Sequence, residues 1–181
     1  MKFTYSARER DKLSLLKGTP VKREEFIQAM RAVAHSVTVV TTDGAAGRHG
    51  ATVSAFCSVS ADPPSVLVCL NAASRIGELV KANGVFTVNV LPEGSEAIAK
   101  RFAGMDDDKL NDRFDGIEIT DATVPEIIGS TVFRCQLEQL VPSGSHAIAI
   151  GLVEASTIAG KPPLTYCDGD YQTLQKKTEE A

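Results

Sequence analysis

The sequence predicts a mainly β fold, an antiparallel barrel with inserted helices, and three observations carry that prediction. The last third of the chain holds two long strand-like runs, STVFRCQLEQLV and HAIAIGLVEASTI, joined only by PSGS. No crossover helix separates them, so they pair as antiparallel neighbours rather than as members of a doubly wound sheet. Neither GxGxxG nor GxxxxGK[ST] occurs, which removes the usual fingerprints of dinucleotide and nucleoside-triphosphate folds.

The elements follow in order. Residues 1–19 read as an arm of mixed charge, and 20–181 as one folded domain. Thr19 is a candidate cap with Pro20 at the first helical position. VKREEFIQAMRAVA then places Phe26, Met30 and Val33 on one helical face. His35-Ser36 marks the exit. SVTVVTT is a strand by its Val and Thr content, DGAAGRHG a turn, and ATVSAFCSVS the returning strand. Alternation along that strand sets Val53, Ala55, Cys57 and Val59 on one face and Thr52, Ser54, Phe56 and Ser58 on the other. The second face is rich in hydroxyls, and two readings of it stand: an edge facing water, or a wall for a ligand.

After Pro63-Pro64, SVLVCL is a buried strand. Ser74 caps a short helix carrying Ile76, Leu79 and Val80, and Gly84 ends it. VFTVNVL is a further strand, EGSEAIAKRFAG a second short helix, MDDDKLNDRF an exposed acidic connector, and GIEIT a short strand. KPPLTYCDGDYQTL supplies two short strands about a DG turn. The total is seven or eight strands and three helices.

Composition narrows the function. A hydrophobic content of 43% supports a full core, and a net charge of −4 with no basic stripe argues against nucleic acid. No apolar run approaches the roughly 18 residues that span a bilayer, and no secretory leader is recognisable, so no membrane role and a cytoplasmic setting are expected. Cys57, Cys69, Cys135 and Cys167 show no CxxC spacing, and His35, His49 and His146 show no metal-binding spacing; no metal is expected. Ser145-His146 lacks a GxSxG elbow, so nucleophilic catalysis has no support.

A flavin asks little of protein nucleophiles, because the ring carries its own redox chemistry. Hydroxyls and backbone amides suit its polar edge, and Thr52, Ser54 and Phe56 offer hydroxyls and an apolar surface. Asn71, Ser74 and Arg75, at a strand-to-helix junction, suit a phosphate. Ser74 as a plain helix cap and Arg75 as a solvated side chain are the alternative readings.

The run FIQAMRAVAHSVTVVTT, the block GATVSAFCSVSADPPSVLVCLNAASRIGELVKANGVFTVNVL, then KRFAG, GSHAIAIGLVEA and PPLTYCDGDYQTL together resemble the flavin reductase-like family of short-chain NAD(P)H:flavin oxidoreductases, over roughly residues 22–174. The resemblance implies a flavin-binding split β-barrel, a homodimer, FMN or FAD with NADH or NADPH as hydride donor, and a separate monooxygenase that uses the reduced flavin. It also implies site residues. Thr52, Ser54, Ala55 and Phe56 would line the isoalloxazine, and Val53 would offer backbone contacts while its side chain faces the barrel core. Cys69, Leu70, Asn71, Ser74 and Arg75 would hold the ribityl phosphate, with Lys81 and Asn83 adding to that region. His146 would lie near the nicotinamide as the catalytic histidine, and Tyr166 and Tyr171 would close over the ligands. Two motifs depart from the family pattern. Its Gly-Asp-His reads Gly144-Ser145-His146 here, and its Thr-Gly pair at the helix exit reads Ala34-His35-Ser36-Val37. A flavin-binding carrier of the same fold is the alternative function.

Overall fold

The computed structural model describes residues 21–174. The chain divides into two units between Val33 and Ala34. The first contains helix α1 (Arg23–Arg31), which starts after Lys22 with no side-chain cap. Thr19 and Pro20, and the whole predicted arm, lie outside the described residues. No residue of α1 is buried, and Phe26, Met30 and Val33 are all exposed.

In the second unit the strands are β1 (His35–Ser36), β2 (Thr38–Thr42), β3 (His49–Val53), β4 (Phe56–Ala61), β5 (Pro64–Asn71), β6 (Val85–Val90), β7 (Thr131–Ser143), β8 (His146–Thr157), β9 (Thr165–Cys167) and β10 (Asp170–Gln172). Helix α2 (Arg75–Asn83) joins β5 to β6, and α3 (Glu96–Phe102) follows β6. Seven strands form one antiparallel sheet in the order β3-β2-β6-β7-β8-β5-β4, and β1, β9 and β10 form a small second sheet. No helix among the described residues is long and apolar enough to cross a membrane.

The outermost strands of the large sheet, β3 and β4, are separated in the chain only by Ser54 and Ala55. So short a link spans roughly 10 Å at full stretch. The sheet must therefore curl until its two edges approach, which makes a barrel split along a seam at Ser54–Ala55. The Cys69 N–H donates to the Ala55 carbonyl at 3.0 Å and ties that seam to β5.

ATVSAFCSVS is thus two strands on opposite edges of the sheet, not the single strand that its alternation predicts. The kink resets the alternation. Phe56 joins Ala51 and Val53 against the inner cluster built on Val40, Val68, Leu70, Val88 and Ala149, and its ring packs 5.6 Å from Phe133. It does not share a face with Thr52 and Ser54. GIEIT is likewise not a strand; it contributes one isolated bridge, Ile119 to Ile127.

All five residues of β2 are buried. Val40 faces the inner cluster, while Val39 faces an outer one with Leu91, Ala99, Phe102, Phe114, Ile127 and Leu164. Burial on both faces explains why SVTVVTT carries no charge. The inner cluster also takes Ile76 and Val80 from α2, so that helix is packed into the barrel by its apolar side. The β7–β8 ladder runs on to Ser143 opposite His146, which shortens the predicted PSGS turn to Gly144-Ser145. Gly144 takes a φ of 58°, the left-handed conformation that two-residue hairpin turns demand.

Candidate functional site

The seam places two hollows side by side. One, of about 300 Å³, lies between Ala51–Ala55 on one side and Cys69, Leu70, Asn71, Ser74 and His146 on the other. The second, of about 330 Å³, shares Thr52, Val53 and Ser54 but is walled by Val37, Ala103, Met105, Tyr166 and Tyr171. The first is the more polar of the two and the second strongly apolar, and the end of β3 is the lip between them.

The polar hollow is assembled by local capping. Ser74 is the N-cap of α2: its Oγ accepts from the Gly77 N–H at 3.4 Å and donates to the Asn71 carbonyl at 2.6 Å. Asn71 Oδ1 accepts from the Ala73 N–H at 3.0 Å. These bonds hold the strand-to-helix turn tightly, and α2 meets it with its positive dipole end. His146 stands opposite Asn71 in the β5–β8 ladder, which brings the hairpin into the same hollow. Its Nδ1 lies 3.0 Å from Ser145 Oγ. When that hydroxyl donates, the imidazole proton sits on Nε2 and the ring presents a donor.

The predicted residues therefore separate into groups. Thr52, Val53, Ser54, Ala55, Cys69, Leu70, Asn71, Ser74 and His146 share one hollow. Tyr166 and Tyr171 come together in an edge-on pair, 5.3 Å between centroids, in the neighbouring hollow. Arg75 follows the cap and is exposed. Leu70 is buried in the core, so only its backbone faces a ligand. Thr52 borders both hollows, but its hydroxyl donates to the Ala99 carbonyl of α3 at 2.7 Å, so that proton is not offered to a ligand.

Three predicted residues stand elsewhere. Phe56 points inward for the reason given above. Asn83 holds the β2–β3 turn, its Nδ2 donating to Thr42 Oγ1 (3.1 Å) and the Gly47 carbonyl (3.0 Å) while Oδ1 accepts from the Ala46 N–H (3.1 Å). Lys81 lies in the last turn of α2, roughly 10 Å along the axis from the cap. Sequence reasoning missed Val37, Ala103 and Met105, which reach the apolar hollow from two segments far apart in the chain. No local pattern marks them.

The groups at the seam fit a flavin. The hydroxyls of Ser54 and Ser74, the Asn71 amide and the turn backbone match a polar ring edge and a polyol, and the adjoining apolar wall matches a flat ring. The buried Cys135 is not a nucleophile: burial, helped by Glu154, pushes its thiol up to about 12. Among the described residues no cluster of three His, Cys, Asp or Glu converges on a possible metal position.

Comparison with known proteins identifies relatives of the whole domain. The flavin reductase like domain matches residues 30–175. The chain is 38% identical over 165 residues to an FMN reductase (NADH) RutF of Ancylobacter novellus, covering 87% of this chain and 88% of that protein. It is 33% identical over 153 residues to the reductase component of 4-hydroxyphenylacetate 3-monooxygenase from Thermus thermophilus, covering 84% and 97%. Among solved structures, the Streptomyces globisporus NADH:FAD oxidoreductase in complex with NAD and FAD fragments superposes with a TM-score of 0.78 at 27% identity, covering 90% of this chain and all of that one.

Proposed function

The chain belongs to the flavin reductase-like domain family, and from that premise we propose that it moves a hydride from NADH to FMN at the Ser54–Ala55 seam. The observation that carries this reading is the seam itself, where the two sheet edges meet between a polar hollow and an apolar one. FAD and NADPH are the alternative ligands of each class.

Bound flavin supplies the redox chemistry; the protein's part is placement. Ser54 and the backbone of Val53 and Ala55 offer donors and acceptors to the ring's polar edge. Asn71, Ser74 and Arg75 hold the ribityl phosphate at the start of α2, where the helix dipole favours an anion. His146 presents its Nε2 donor from the hairpin, and Tyr166 and Tyr171 exclude water from the apolar side. No side chain is required to form a covalent bond.

Steady-state NADH oxidation with added FMN tests the reading. Oxidation well above the flavin-only background is expected. Tight FMN binding with oxidation no faster than that background would refute the reductase and support a flavin carrier, which the replacement of the family's acidic residue by Ser145 favours. We further infer a cytoplasmic homodimer that delivers reduced flavin to a separate monooxygenase. The support is the exposed outer strand β4, a sheet edge with no further strand partner among the described residues and with Val59 49% exposed, and the 4-hydroxyphenylacetate relative. A monomer by sedimentation at micromolar concentration would remove the dimer.

A further inference from the structure

One wall of the apolar hollow is the turn that ends α3. The helix closes on Gly104, whose φ of 85° is left-handed. The Gly104 N–H donates to the Arg101 carbonyl at 2.9 Å and the Met105 N–H to the Lys100 carbonyl at 3.2 Å, the paired bonds of a Schellman cap. An apolar residue just past such a cap commonly lies back on its own helix. Met105 is instead 66% exposed and lines the hollow with Val37, Ser54, Tyr166 and Tyr171.

Arg113 holds this turn. Its Nε and Nη2 donate to the two Asp107 carboxylate oxygens at 2.8 and 2.5 Å, and its Nη1 donates to the carbonyls of Phe102 (2.9 Å) and Gly50 (3.0 Å). The ion pair lies directly on Gly104, where a Cβ would meet Arg113 Nη2 at 2.7 Å and Asp107 Oδ2 at 2.9 Å. One guanidinium thus ties the end of α3 and the turn after it to β3, the strand that forms the lip of the hollow. The Met105 backbone is fixed, and its thioether stands open to solvent beside the seam. Met30 on α1, the other methionine among the described residues, is less exposed at 41%.

On the flavin reductase reading, the seam is also where an oxidant arises. Dioxygen takes two electrons and two protons from reduced flavin that is not passed on, which leaves oxidised flavin and hydrogen peroxide. Peroxide transfers one oxygen atom to a thioether: the O–O bond breaks, an S=O bond forms and water leaves. We propose that Met105 is a redox modification site, converted to its sulfoxide by peroxide formed at the seam, and that the sulfoxide weakens flavin binding. The proposal rests on the reductase reading, which supplies the peroxide. Methionine is the flexible apolar part of this wall. Its sulfoxide places an acceptor there, and the apolar part of a ring laid against it removes its water without offering a donor. Reduced flavin made faster than an acceptor takes it then lowers the activity of the chain that made it, until a methionine sulfoxide reductase restores the thioether.

Peptide mapping by mass spectrometry reads the modification, and fluorescence titration with FMN reads its effect. The flavin-free full chain is treated with hydrogen peroxide, and in parallel the full chain turns over NADH and FMN in air. In both, Met105 should gain one oxygen ahead of Met30, and FMN affinity of the oxidised chain should fall roughly threefold to tenfold. Cys57 and Cys69 also meet peroxide, so dithiothreitol is added afterwards to return disulfides and sulfenic acids to thiols. The loss should persist in the parent chain, be reversed by a methionine sulfoxide reductase, and be missing from Met105→Leu when that variant is compared with itself before and after treatment. The reversal needs no variant, so it decides the matter if Met105→Leu fails to fold. Met105 oxidised no sooner than Met30, left intact during turnover, or fully oxidised with unchanged FMN affinity overturns the proposal. An equal loss in Met105→Leu overturns it too, by assigning the effect to another residue. No NADH oxidation by the untreated parent chain sinks the reductase reading, and with it the source of the peroxide.

Discussion

Replacing Gly77 with alanine probes the packing that builds the polar hollow. A Cβ at this buried position of α2 would lie 2.7 Å from the Asn71 carbonyl oxygen, whereas ordinary contact begins at 3.4 Å. The helix start and the end of β5 must therefore part by about 0.7 Å. Neither side yields easily. The Asn71 carbonyl accepts from both the Ser74 N–H (3.0 Å) and the Ser74 hydroxyl (2.6 Å), and Asn71 is itself paired with His146 in the sheet. Overpacking of this kind costs about 1–3 kcal/mol, and the obstacle is backbone, which favours the upper half of that range. Alanine's better helix propensity offsets about 0.8–1 kcal/mol. The net loss is about 1–2 kcal/mol, and at about 2–4 °C per kcal/mol for a domain of this size the melting temperature falls by roughly 2–8 °C. The same displacement moves Asn71 and Ser74, so FMN affinity should drop roughly threefold to tenfold. Scanning calorimetry of the ligand-free protein and an FMN titration measure the two effects. An unchanged or raised melting temperature together with unchanged FMN affinity would show that the junction is not clamped in this way.

Three further substitutions test other links. Ser54→Val, at an exposed seam position, should leave the melting temperature nearly unchanged and weaken FMN binding by roughly threefold to tenfold, the loss of one hydrogen bond; equal FMN affinity removes Ser54 from the site. Asn89 is fully buried, its Nδ2 donating to the Val39 carbonyl and Thr41 Oγ1 and its Oδ1 accepting from the Ile127 N–H. Asn89→Ala orphans that N–H and opens a cavity, for a loss of about 3 kcal/mol in urea unfolding; a loss within experimental error of zero contradicts the role. Partly buried His49 makes stability depend on pH. Burial first, then Arg113 and Arg75, lower its folded pKa from the ordinary 6.5 to about 4, so the unfolded chain binds the extra proton between those values. Stability is full above about 6.5 and falls as pH drops toward 4. Asp107, lowered by its bond to Arg113, adds a further decline below that window, as pH falls past the ordinary carboxylate value. His49→Gln should flatten the profile, and parallel wild-type and variant curves refute the assignment.

Much of the site is written locally. Ser74 and Gly84 mark the ends of α2 by cap chemistry alone: the first bonds the Gly77 N–H, and the second takes a φ of 71° with its own N–H on the Val80 carbonyl. Asn71 and Arg75 are then placed by their spacing from that cap. Met105 and Val37 were not legible in this way, because they meet the site only through the packing of distant segments. Phe56 was misplaced because alternation assumes an unbroken strand. Nothing in ATVSAFCSVS by itself reveals that its halves pair with β2 and with β5 respectively.

By itself the sequence determined the mainly β class, the helix limits at Ser74 and Gly84, the antiparallel C-terminal hairpins and the family. These depend on residues a few positions apart, and backbone sterics and capping bonds act over that range. Only the tertiary structure decided that the two edges of the sheet meet at Ser54–Ala55, that Phe56 turns inward, and that the Thr52 hydroxyl is taken by Ala99. It alone brought Arg113 to the Gly50 carbonyl beside His49. Such choices follow from closing a sheet between residues far apart in the chain, where no local periodicity carries the information.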